Sequence, residues 1–268
     1  MNPFVEFCIR AQWRDRRETA AEGAERLARL LRELPMVHPS LNSWFVERSE
    51  GTRWFERLGS MPPTPAELEA ALLRGIPRDA SVRKPPPEDG FTLRAWNGKE
   101  LGRSWAEFRT TIGAYDAKWR GINRFEFDFI DKVSSRDPLF LPEVVKELIK
   151  LVVDTMEPDC LDAFPIEWLS SVSEKGCPSG GWMSYVRDIS LWDHPIDIHT
   201  DEAFREEGIL AVVSRKIFTN KDADCCRLAL DLNESLSEAR QWMMRPVRVS
   251  QFSGPVRTDL DELMDRSA

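Results

Sequence analysis

Two hydrophobic periods alternate along this chain. PFVEFCIRAQW, residues 3 to 13, is aromatic and β-branched with partial alternation, which predicts an opening strand. From Glu18 to Glu33 the period changes. Ala20, Ala24, Leu27, Leu31 and Leu34 recur at steps of four and three, one stripe of an amphipathic helix with arginines and glutamates opposite. Thr64-Pro65-Ala66-Glu67 joins an N-cap, a first-turn proline and a capping-box glutamate, so a short helix to about Arg74 follows. IPRDASVRKPPPEDG then breaks both periods and reads as a connector within the domain.

FTLRAWNG, WAEFRTTIGAY and NRFEFDFI are three strand-like runs. The last sets Phe125, Phe127 and Phe129 against Arg124, Glu126 and Asp128, predicting one buried and one wet face. Pro142 to about Glu157 carries Val144, Val145, Leu148, Leu151 and Val152 at helical spacing. WMSYVRDI and GILAVVSRKIF read as strands. Cys225, Leu228, Ala229, Leu232, Leu236 and Ala239 then mark one long closing helix, about Asp224 to Gln241. Helices and strands mix without strict βαβ alternation, so the expected class is α+β: an antiparallel-rich sheet with helices packed against it, in a single domain. That domain is expected over residues 1–245, with a loosely ordered tail over 246–268.

With 268 residues, 42% of them hydrophobic and ten of them tryptophan, the chain can bury a sizeable core. The formal charge of −8 argues against a surface built to neutralise phosphates or anionic lipid, and favours a basic protein partner. The excess is local: from Asp154 to Glu207 thirteen acidic residues face Lys175, Arg187 and Arg205, a net −10, leaving about +2 elsewhere. Five cysteines, Cys8, Cys160, Cys177, Cys225 and Cys226, have no CxxC spacing. This usage suits a reducing compartment. With no signal peptide and no apolar run long enough to span a bilayer, the expected location is the cytoplasm.

The densest candidate chemistry is WDHPIDIHTDEAF, residues 192 to 204, which holds two of the three histidines. If residues 193 to 201 are extended, Asp193, Asp197, His199 and Asp201 share one side, a mixed imidazole and carboxylate face of the kind that binds a divalent metal. A metal-dependent hydrolase using Asp193, His199 and Asp201 is therefore one reading. The other is a solvated acidic surface, because the only histidine elsewhere is His38 and short clusters lack the distant ligands metal sites recruit. Other enzyme motifs are missing: GxSxG, GxxxxGK[ST] and HExxH do not occur, and SGGW at 179 to 182 lacks a strand-to-helix context. Asp128 and Asp131 fit an amphipathic strand better than a carboxylate pair. Trp96 and Trp182, beside asparagine or glycine, suit core packing, with a binding platform as the alternative. No catalytic, cofactor or metal residue is assigned.

Several pieces occur in a characteristic order: NSWF at 42 to 45, FTLRAWNG, TMEPD at 155 to 159, GGWMSY at 180 to 185, EEGILAVVS at 206 to 214, and the closing helix. Together they resemble the immunity protein 52 family of bacterial polymorphic toxin systems, over about residues 4 to 240. The most characteristic residues are Trp96, Asn97, Gly98, Gly181, Trp182 and Tyr185, expected to be structural. ERSEGTRWFERLGSMPP and the tail after Pro246 lie outside the likeness.

The resemblance implies a small cytoplasmic protein, encoded beside a toxin it neutralises, with no cofactor and no enzymatic activity. It also implies that the toxin is a nuclease with a restriction-endonuclease-like fold. Such a nuclease presents a basic cleft, against which an acidic face can dock. The expected contacts are Trp192 and Phe204 as anchors with Asp193, Asp197, His199, Asp201, Glu202, Glu206 and Glu207 around them. A scaffold or inhibitor for some other basic protein is the blander option.

Overall fold

A computed structural model describes residues 4–47, 55–57, 62–74, 90–97, 106–115, 123–134, 138–170, 179–188, 199–201 and 208–244. Its strands are β1 (Phe4–Trp13), β2 (Trp44–Glu47), β3 (Phe55–Arg57), β4 (Phe91–Asn97), β5 (Ala106–Ile112), β6 (Asn123–Ser134), β7 (Cys160–Pro165), β8 (Met183–Val186), β9 (His199–Asp201) and β10 (Ile209–Val212). They form one sheet in the order β3-β2-β4-β5-β6-β1-β7-β8-β10-β9. Every pairing is antiparallel. The opening strand is therefore interior, paired with β6 on one side and β7 on the other.

The helices are α1 (Ala20–Val37), α2 (Pro65–Arg74), α3 (Pro142–Met156), α4 (Ala223–Ser235) and α5 (Ser237–Met244). The expected α+β class is the one observed. Helix α1 starts where Thr19 and Glu22 close a capping box: Glu22 N donates to the Thr19 hydroxyl and Thr19 N to the Glu22 carboxylate. It runs past Pro35 to Val37, four residues beyond the expected end at Glu33.

One face of the sheet is apolar and carries α1, α2 and α3. Phe125, Phe127 and Phe129 are fully buried there as the alternation predicts, joined by Phe108, Phe7 and Trp44. The rings of Phe127 and Phe129 lie 5.0 Å apart and those of Trp44 and Phe108 5.2 Å, within the range of favourable aromatic contact. Leu27 and Leu31 of α1, Leu68 and Leu72 of α2, and Leu148, Ile149 and Val152 of α3 belong to the same core.

The opposite face is polar as expected, with Arg124 exposed and Glu126 and Asp128 half-buried, but it is less wet around β5. The Glu107 side chain is only 3% exposed, held by Arg94 at 2.8 Å and Arg109 at 2.6 Å, and Glu126 pairs with Arg10 at 3.2 Å. Register sets Arg94, Arg109, Glu126 and Arg10 in one row across β4, β5, β6 and β1, with Glu126 directly between Arg109 and Arg10, while Glu107 is reached diagonally by Arg94 and along its own strand by Arg109. Asp128 sits opposite Cys8 in this face, and burial raises its carboxyl above the usual range despite the Cys8 thiol hydrogen bond.

The closing segment departs from a single helix. It breaks at Leu236 between α4 and α5, where the Ser235 hydroxyl donates back to the Leu232 carbonyl and the Arg240 guanidinium takes the Asn233 carbonyl. Such back-bonding bends helices. Strands β2, β3 and β7 were not anticipated. The connector at 76 to 89, and the tail from 246, fall outside the described residues.

Candidate functional site

Two of the distinctive residues cluster at the end of β4. Trp96 and Asn97 are buried, and Asn97 Nδ2 donates to the Ser40 carbonyl at 2.7 Å while its Oδ1 accepts from Ala106 N at 2.7 Å. The side chain thus ties the end of β4 to the start of β5 and to the segment before β2, and with Trp96 only 1% exposed this is packing work and not a binding platform. Gly98 lies outside the described residues.

Gly181, Trp182 and Tyr185 meet at β8. A Cβ on Gly181 would sit 2.6 Å from the Ala163 carbonyl, so the backbone there can approach β7 only without a side chain. The Trp182 indole N–H donates to Ser214 O at 2.8 Å, and its ring meets Phe7 edge-on at 5.8 Å. Tyr185 is buried beneath Gly208. Behind them Asp162, fully buried, accepts from the hydroxyls of Ser179 at 3.0 Å and Ser184 at 2.7 Å and from Ser179 N. This carboxylate pins the 179–181 turn to β7 and β8. Both hydroxyls are turned inward onto this fully buried carboxylate, so the trio works as a structural lock.

Of the candidate acidic run, the structure describes only the backbone of His199 and Asp201. They belong to β9, the strand at one edge of the sheet, with His199 opposite Val212 and Asp201 opposite Leu210. The extended conformation assumed for residues 199 to 201 is observed. Trp192, Asp193, Asp197, Glu202, Phe204, Glu206 and Glu207 lie outside the described residues. Asp131 also has no described side chain. Cys8 is buried with its thiol pushed well up, burial being the main cause, so it stays protonated and unreactive at neutral pH.

Described acidic residues gather elsewhere, on the outer helical layer. Arg16, Arg26 and Arg29 donate to the carbonyls of Met156, Thr155 and Asp154, the unsatisfied end of α3. Arg16 and Arg26 also hold Glu18, whose side chain is 5% exposed, at 3.2 and 2.8 Å. This clamp sets α1 and α3 side by side in opposite directions. Between them runs a groove of about 420 Å³ lined by Val37, Val144 and Leu151 with Glu33, Glu143, Glu147 and Asp154. Met36 on its lining is 76% exposed, and Leu141 at the start of α3 is 51% exposed. The sequence carries a faint signal for both: Met36 falls off the α1 stripe, and Leu141 precedes the proline that begins α3. Among the described residues no helix is long and apolar enough to cross a membrane.

The family model of Immunity protein 52 matches residues 7–246. No curated protein matches the chain. Among solved structures, the Pseudomonas aeruginosa T6SS protein PA0821 is similar in fold, with a TM-score of 0.55 and 12% identity, over 94% of this chain and 79% of that one.

Proposed function

Since the chain belongs to the Immunity protein 52 family, we propose that it binds a cognate bacterial toxin and neutralises it. The match over residues 7–246 carries this reading, because it takes in every element of the sheet and both faces. We take the toxin to be a nuclease with a restriction-endonuclease-like fold, blocked where its basic active site or substrate cleft meets an acidic surface. The net −10 of residues 154 to 207 supports that choice, since opposite potentials speed encounter and disfavour neutral partners. In this proposal Trp192 and Phe204 are anchors, and Asp193, Asp197, His199, Asp201, Glu202, Glu206 and Glu207 supply charge. The protein acts by occupancy in the cytoplasm and performs no chemistry itself.

Expressing the neighbouring toxin gene in a sensitive bacterium, with and without this chain, tests the reading. Survival restored by co-expression is expected; unchanged killing would overturn it. Reversal of Asp197, Asp201 and Glu202 to lysine is expected to weaken toxin binding with an unaltered melting temperature. Unchanged binding at low and moderate salt would remove that segment from the interface.

A further inference from the structure

The groove between α1 and α3 is built unlike a surface left to water. Met36, Leu141 and Leu230 are the exposed large hydrophobics among the described residues; Met36 lines this groove, and Leu141 directly precedes α3, whose first turn lines it. Val37 and Val144 are only partly buried in it. None of the described residues covers them fully. Four carboxylates, Glu33, Glu143, Glu147 and Asp154, line this apolar strip together with Lys150; Glu33 is engaged by Arg29 at 3.1 Å, which leaves Glu143 and Glu147 as the rim's outward charges. Glu143 and Glu147 are exposed, stand one turn apart on α3, and make no ion pair with a described residue. Like charges at that spacing slightly disfavour the helix, although Glu143 in the first turn suits its dipole, and Glu147 has no such role.

We propose that this groove is a contact surface for the toxin, receiving an aliphatic side chain flanked by lysines or arginines. The inference rests on the immunity reading above and names a second surface, separate in the chain from residues 192 to 207. The chemistry selects the occupant. An apolar floor takes an aliphatic group, and methionine adapts its shape to one. The acidic rim favours cations around that group and desolvates poorly against anything else. A second copy of this chain is a poor occupant, because a symmetric contact would set the four carboxylates against the same four. The clamp of Arg16, Arg26 and Arg29 keeps the two helices in fixed register, so the groove is formed before the partner arrives.

The test uses the full chain with an inactivated form of the toxin encoded beside it. Affinity is measured for the wild type, for Glu143→Lys with Glu147→Lys, and for Met36→Ser with Leu141→Ser, each checked by circular dichroism for an unchanged melting temperature. All four positions are exposed, so folding is expected to survive. Each pair is expected to lower affinity about tenfold or more, as loss of an interface anchor does. Carbodiimide coupling of the wild-type complex is expected to join Glu143 or Glu147 to toxin lysines. If the wild type binds tightly and both double variants bind within twofold of it, the groove is not a contact surface and the proposal falls. A concentration-dependent dimer lost in the Met36 and Leu141 variant would equally overturn it in favour of self-association. Failure of the wild type to bind at all would overturn the immunity reading itself, and the groove proposal with it.

Discussion

A carboxylate without water must find its donors in the protein, and Asp162 finds three. Asp162→Ala strands two hydroxyls and an amide in the core, and a loss of about 3 kcal/mol is expected from the denaturation midpoint. Gly181→Ala pushes a methyl against the Ala163 carbonyl and is expected to cost about 1–3 kcal/mol by the same measurement. Asp128 yields a pH effect. Burial raises its carboxyl above 3.8, so the folded chain holds that proton more tightly than the unfolded chain. Its contribution is greatest below the ordinary value and is lost as pH rises through the raised one. Asp128→Asn is expected to remove that decline, visible as a flatter dependence of the urea midpoint just above pH 4; an unchanged slope would refute the assignment. At this scale the sequence marked which residues matter but not why. Trp96, Asn97, Gly181, Trp182 and Tyr185 stand out by their order along the chain. Their partners, Ser40, Ala163, Ser214 and Gly208, are distant in sequence, and no local pattern announces them.

Elements were legible to the degree that their periodicity is one-sided. Helices α1, α2 and α3 each bury a single stripe, and the cap Thr64 marks the start of α2, whereas the Thr19 cap of α1 emerges only in the structure. Strand β7 gave no such signal, because all six of its residues are buried and alternation vanishes when both faces are covered. Strands β2 and β3 are too short for a period to show. The clamp between α1 and α3 was also hidden, since it joins side chains to carbonyls across more than a hundred residues. Arg26→Met leaves Glu18 buried with only Arg16 beside it and frees the Thr155 carbonyl. A loss of about 1–3 kcal/mol is expected on thermal unfolding. The expected cause would be excluded if Glu18→Gln in the same background failed to restore part of it.

For the molecule as a whole, charge and topology set the constraints. With a formal charge of −8, association with a basic toxin is expected to slow steeply as salt rises while dissociation changes little, measurable by stopped flow. The α+β class could be read from composition and the mixture of periods, but not the order of the strands. The place of β1 has a consequence in time. Strand β1 needs β6 and β7 as neighbours, so after its own synthesis it waits for residues 123 to 165 to be made. At ordinary rates of synthesis that delay is roughly ten to thirty seconds. A fragment ending at residue 122 is expected to show no protected amides over residues 4 to 13 by hydrogen exchange. Protection from a toxin therefore begins only when most of the chain exists, and a cell that starts synthesis after the toxin arrives is already late.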